Sequence, residues 1–149
     1  MTDSFQSIRS GQVIEGTPFH PTRESIREFC EASLDFNPLH LDDEYMKGSF
    51  GKTKFGGIIM HGMNNFGVIS KMITDWLYPL GGMHRRLETR WKLPVKPGDT
   101  ITPSATVTAT KVSAKSRWAT LDVKVVNQRG EIVANGEAMV EFPNDSRPA

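Results

Sequence analysis

The chain of 149 residues predicts an α+β fold in which a curved, mostly antiparallel sheet wraps around one central apolar helix. Three observations carry this. The segment from Ile58 to Leu77 is the most apolar part of the chain: Met63, Phe66, Val68, Ile69, Met72, Ile73, Trp76 and Leu77 spread around most of a helical surface, leaving only Lys71 and Asp75 charged. A helix apolar nearly all round is a buried one. Beyond it the hydrophobic period falls to two, as half-buried strands require. Ile101, Ala105, Val107 and Ala109 alternate with polar residues, as do Ala119, Leu121, Val123 and Val125, then Ile132, Ala134, Ala138, Val140 and Phe142. One amphipathic stretch, Thr22 to Leu34, precedes both regions, and a helix followed by a run of strands reads as α+β.

In chain order, Gly11 to Phe19 is a candidate first strand. From Thr22, Ile26, Phe29, Cys30, Ser33 and Leu34 fall on one helical face, with Arg23, Glu24, Arg27, Glu28 and Glu31 on the other. Thr22 suits the N-cap, and Glu24 lies in the first turn where the dipole favours it. Cys30 lies on the buried stripe, away from basic neighbours, and reads as an inert thiol. A short helical piece is expected near Asp42 to Met46, then a glycine-dotted loop that covers something. Gly48 to Thr53 is no phosphate loop: the motif's first glycine would fall on Met46, and no apolar strand leads in. Lys52 and Lys54 read as solvated. Leu87 to Leu93 makes a strand, Pro97-Gly98-Asp99 a turn, and Asn127-Gln128-Arg129-Gly130 a hairpin turn. Trp76, Trp91 and Trp118 read as core or dimer-interface residues. The reading is one domain over residues 1–149, with 144–149 a polar tail.

With 18 basic and 17 acidic residues, no global field draws the chain to nucleic acid or membrane. Arg85, Arg86, Arg90 and Lys92 form the densest basic stretch, but on a strand they alternate faces and read as solvated. The single cysteine excludes an internal disulfide and suits a reducing cytoplasm. Met1 to Ser10 has no signal-type apolar core, and no stretch has the length and apolarity to span a bilayer. A cytoplasmic protein is expected.

The chemistry concentrates at Asp35-Phe36-Asn37-Pro38-Leu39-His40. Pro38 disfavours helix at Asn37, so the amphipathic helix ends near Leu34 to Phe36 and the chain turns. That bend can aim Asp35 and His40 at one point, where a carboxylate beside an imidazole holds and deprotonates a water. Asn37 and Pro38 shape the turn. Downstream, His61-Gly62 opens the apolar helix, whose first N–H groups are unsatisfied donors at a positive dipole end. Gly62 lets a ligand carbonyl approach its backbone, so its N–H is the candidate oxyanion donor. His20, His40, His61 and His84 share no ligand-like spacing, and no metal site is expected.

The motif Asp35-x-Asn37-Pro38-Leu39-His40, the later His61-Gly62-Met63 and the segment Pro94-Val95-x-Pro97-Gly98-Asp99 resemble the MaoC-like, (R)-specific enoyl-CoA hydratase branch of the hot-dog superfamily, with matching element order over nearly the whole chain. The resemblance implies a hot-dog fold, a homodimer or higher oligomer with a continuous sheet, and hydration of a trans-2-enoyl thioester or the reverse dehydration. It implies Asp35 and His40 as the catalytic pair and the Gly62 N–H as oxyanion donor. It implies no cofactor beyond the CoA carried by the substrate. Two departures stand out. The family favours glycine where this chain has Leu34, which cannot adopt a left-handed conformation cheaply, so a different helix exit is expected. Met46 replaces a small residue, and the gap from His40 to His61 is longer than usual. A hot-dog thioesterase and a catalytically silent subunit of a hetero-oligomer remain the alternatives.

Overall fold

Thr22 starts helix α1 (Arg23–Ser33) through a reciprocal cap: its hydroxyl accepts from the Ser25 N–H at 3.0 Å, while Ser25 Oγ accepts from the Thr22 N–H at 2.9 Å. The computed structural model describes residues 4–48 and 55–142, so Lys52, Lys54 and the tail 144–149 lie outside the described residues. Ile26 and Cys30 are the buried residues of α1. A short helix α2 (Asp43–Lys47) follows, capped by the Asp42 carboxylate on the Tyr45 N–H. The apolar segment forms α3 (Gly62–Leu77).

Five strands complete the fold: β1 (Val13–Glu15), β2 (Met83–Trp91), β3 (Ile101–Val112), β4 (Arg117–Asn127) and β5 (Ile132–Phe142). They form one sheet in the order β1-β3-β4-β5-β2, with every neighbouring pair antiparallel. Period-two patterning sends Ile101, Ala105, Val107, Leu121, Val123, Val125, Ala138 and Val140 inward, where they form one apolar core with Ile69, Met72, Ile73 and Leu77 of α3. This is the helix-on-curved-sheet arrangement of a hot-dog fold.

Three details differ from expectation. Helix α3 is buried along one stripe, Asn65, Ile69, Met72, Ile73 and Leu77, while Met63 is 54% exposed and Lys71, Thr74 and Asp75 face outward. Strand β2 starts at Met83 and ends at Trp91, because β5 pairs it from Glu141 to Ala134; the irregularity between His84 and Arg86 hides its alternation. Ala109 is exposed, since a bulge between Val107 and Ala109 shifts its register against β4. Of the tryptophans expected in the core or at a dimer interface, Trp76 packs edge-on against Phe142 beside the core, and Trp91 is 46% exposed in the single chain. As expected of a strand, Arg86, Arg90 and Lys92 share the outer face of the sheet, and Arg85 turns aside to pair with Glu141. Among the described residues no helix is long and apolar enough to cross a membrane.

Candidate active site

The turn after α1 is built by side chains bonding to nearby backbone. Leu34 ends the helix in the left-handed conformation, φ 59° and ψ 22°. The expected change of helix exit is therefore corrected: leucine adopts the glycine-like geometry, with its side chain 78% exposed. Ser33 Oγ accepts from the Asp35 N–H at 3.3 Å, Asp35 Oδ1 from the Asn37 N–H at 3.2 Å, and Asn37 Oδ1 from the Leu39 N–H at 3.1 Å. These consecutive side-chain turns lead into the 3-10 turn Pro38–His40, with the fixed φ of Pro38 at its first position.

His40 is buried, and its Nδ1 lies 2.7 Å from the Ile59 carbonyl. A carbonyl only accepts, so Nδ1 carries the proton and neutral His40 keeps a lone pair on Nε2. The Ile59 N–H donates to the Leu39 carbonyl at 3.0 Å. The chain thus returns to the turn beside His40, and the long gap does not carry His61 away. Met46, the other departure, is buried within α2.

His61 is the N-cap of α3, and its ring stacks on His40 with centroids 3.6 Å apart and planes 20° from parallel. Phe29 packs on it at 4.6 Å. His61 Nε2 donates to the Asp35 carbonyl at 3.1 Å and lies 3.5 Å from Cys30 Sγ. With the proton on Nε2, Nδ1 is an acceptor, buried without a partner among the described residues; Asn65 Oδ1, one turn on, is in the same position. Burial holds the His61 pKa below its ordinary value, against the bond to Asp35, so its ring stays neutral. Burial, then the Asp35 charge, pushes the Cys30 thiol upward, in keeping with an inert structural cysteine.

One ligand-type atom each of Asp35, His40 and His61 lie within 4.8 Å of one another, with Asp35 exposed and both histidines buried. The pair expected from sequence is therefore brought together in the fold. The stacking of the two histidine rings bears on whether the trio could chelate an ion. A metal bonds about 2.0–2.1 Å from nitrogen and near the ring plane, and two stacked rings cannot both point at one ion. His20 bonds to Thr100 and His84 to the Arg86 carbonyl, both apart from this cluster.

Gly62 is the first residue of α3, where no side chain caps the helix. Its N–H has no intrahelical acceptor by position and stays available to a ligand. A Cβ at Gly62 would lie 2.7 to 2.9 Å from the indole of Trp91. Sequence reasoning missed Trp91, the bond from His61 to Asp35, and Asn65; the available signal for the last was an amide within the apolar stripe of α3.

A curved antiparallel sheet packed on a central helix, with Asp35, His40 and His61 clustered beside the open end of that helix, defines a protein of the hot-dog class. The chain belongs to the MaoC-like domain family, whose model matches residues 5–129. It is 33% identical to an (R)-specific enoyl-CoA hydratase of Rhodospirillum rubrum over 93% of this chain and 91% of that one. It is 32% identical to an (R)-specific enoyl-CoA hydratase of Aeromonas caviae over 94% of this chain and 99% of that one. The solved structure of an (R)-hydratase from A. caviae superposes with a TM-score of 0.79 at 32% identity, covering 93% of this chain and 99% of that one.

Proposed function

We propose that this hydro-lyase of the MaoC-like family adds water to a trans-2-enoyl-CoA thioester, giving the (R)-3-hydroxyacyl thioester, and catalyses the reverse dehydration. The observation that carries the reading is the approach of the Asp35 carboxylate to the His40 ring, whose Nδ1–H is committed to the Ile59 carbonyl. Water held by Asp35 and the His40 Nε2 lone pair loses a proton as its oxygen bonds to C3. The C2=C3 electrons shift toward the thioester oxygen, which becomes enolate-like and accepts from the Gly62 N–H. The proton returns at C2 as the carbonyl re-forms. No atom beyond one water is consumed, and the CoA moiety enters only as part of the substrate. Positioned acid–base groups contribute about a hundredfold or more each, and an oxyanion donor a similar factor.

The functional unit in this reading is a homodimer that continues its sheet across an edge strand. Mixing the protein with short and branched 2-enoyl-CoA thioesters and following the conjugated-enoyl absorbance tests the reaction. Hydration is expected, and it should fall at least about a hundredfold in Asp35→Asn and in His40→Gln with folding retained. Full activity in both variants sinks the mechanism. Release of free CoA without hydration selects a thioesterase, and size measurement in solution tests the dimer.

A further inference from the structure

The outer face of the sheet, opposite the core, carries its charges in rows. Glu88 of β2 lies directly across the ladder from Glu137 of β5, and Glu137 from Asp122 of β4. Two residues along, Arg90 lies across from Asn135, and Asn135 from Lys124. Strand alternation puts both triplets on the same face, where they line an open depression of about 740 Å³. The rows are about 6.8 Å apart along the strands, and neighbours within a row about 4.8 Å. Like charges directly opposite one another oppose strand pairing, yet Glu88, Glu137 and Asp122 stand in line. Arg86 relieves two of them, at 2.7 Å from Glu88 and 3.8 Å from Glu137. The side chains of Asp122, Arg90 and Lys124 make no ion pair or hydrogen bond among the described residues.

We propose that this face binds a second copy of the chain, outer sheet against outer sheet, about a two-fold axis that lies in the interface midway between the two rows and parallel to them. Rotation about that axis brings the acidic row of one copy over the basic row of the other without changing strand. Arg90 then faces the partner's Glu88, Lys124 the partner's Asp122, and Asn135 the partner's Glu137. Each contact occurs twice, as an isologous interface requires. The strands of the two sheets run antiparallel, an alignment in which sheets pack face to face. Flanking the rows, Met139 lies across from Thr120, and Ile132, 42% exposed, across from Val126. The same rotation sets Met139 over the partner's Ile132, an apolar contact on each side. Arg86 comes level with the partner's Lys92 at the rim, where Arg86 is already paired with its own carboxylates. An anionic ligand is the poorer occupant, because the acidic row lies within a Debye length of the basic one. A single exposed ion pair contributes little, so the assembly rests on the array and weakens with salt. The contact leaves the strand edges free. It therefore doubles the mass of whatever unit edge pairing forms, and it does not depend on the hydratase reading.

Sedimentation velocity at about 0.01 M and about 1 M sodium chloride tests this, since the screening length falls from about 30 Å to about 3 Å between them. The mass of the wild-type assembly is expected to halve at the higher salt. Asp122→Lys and Lys124→Asp, each alone, should give the halved mass even at low salt, because each sets like charges against each other across the axis. Asp122→Lys also removes a carboxylate from the crowded row, so its Tm should not fall, and its loss of assembly cannot be assigned to unfolding. Mixing the two variants in equal amounts should restore the doubled mass, since both contacts between positions 122 and 124 are then attractive. The double variant Asp122→Lys/Lys124→Asp should restore it for the same reason. A wild-type mass that is the same at both salts, or single variants that assemble like wild type, overturns the proposal. Single variants that dissociate and are rescued neither by mixing nor by the double swap overturn it as well, because the two-fold register is what predicts the rescue.

Discussion

His61 lies beneath His40 with ring centroids 3.6 Å apart, and its Nε2–H reaches the carbonyl of Asp35 in the turn after α1. One buried imidazole thus ties the opening of α3 to the turn that carries Asp35. Protonating this ring would keep that bond but add a proton on Nδ1, buried without an acceptor among the described residues, so burial favours the neutral form.

A pH dependence of stability follows. Burial holds the folded-state pKa of His61 below the ordinary histidine value, and a charged His40 lowers it further. Between that lowered value and the unfolded value of about 6.5, the unfolded chain binds more protons, so stability rises with pH through this window. Below the folded pKa both states are protonated and the contribution is fully lost. Urea unfolding from pH 5 to 7.5 should show this slope, reduced in His61→Gln. Burial also lowers His84, so a residual slope should persist and fall in His84→Gln. An unchanged slope in both variants would refute the assignment.

Leu34 predicts a gain of stability. A non-glycine residue at φ 59° carries a cost of about 1–2 kcal/mol, partly offset in glycine by about 0.5–1 kcal/mol of extra unfolded-state entropy. The side chain is mostly exposed and contributes little burial. Leu34→Gly should therefore stabilise the protein by up to about 1 kcal/mol, and Leu34→Val should destabilise it. Denaturant midpoints decide both, and a destabilised glycine variant would show that the leucine makes a contact worth more than the backbone strain.

These residues also mark what the sequence can carry. The capping threonine, the switch from period 3.6 to 2, and the Asp-x-Asn-Pro turn act over a few residues, so Thr22, Asp35, Asn37, Pro38 and His40 were legible. Leu34 was read from propensity, which disfavours the left-handed region, yet the Ser33 and Asp35 side-chain bonds fix the turn and the leucine follows. Ala109 fails because one bulge reverses which face a strand residue takes. The contact of Trp91 with Gly62 joins β2 to α3 across the fold and leaves no periodic trace. Edge strand β2 has a weak pattern for the same kind of reason: its polar residues face outward and its irregularity falls in the Met83 to Arg86 segment.

Gly62 and Trp91 should be energetically coupled. A Cβ at residue 62 would lie under 3 Å from three indole atoms, so Gly62→Ala has to displace the ring or the start of α3. Alone it should cost about 1–3 kcal/mol, as overpacking does, and lower hydration at least about tenfold by disturbing an oxyanion donor. In a Trp91→Leu background the stability cost should shrink by more than about 0.5 kcal/mol, a coupling that a double-mutant cycle resolves. Additive effects would mean that the indole moves aside freely.

Gly136 supports the same contact from behind. It pairs with Thr89 in β2 and with Val123 in β4, and a Cβ there would overlap the Glu88 carbonyl oxygen and lie 2.8 Å from its carbon. The clash is with backbone, which cannot rotate away, so strand β2 would have to shift along with Trp91 at its end. Gly136→Ala should therefore cost more than about 2 kcal/mol, in the range of severe overpacking, and should reduce hydration beyond its effect on folded fraction. Gly67→Ala is the matched control: it lies exposed within α3 with nothing within 4 Å of the added Cβ, and alanine there should gain up to about 1 kcal/mol from helix propensity. Urea unfolding separates the two. A harmless Gly136→Ala would mean that β2 is held loosely enough to yield, and that the placement of Trp91 depends on α3 alone.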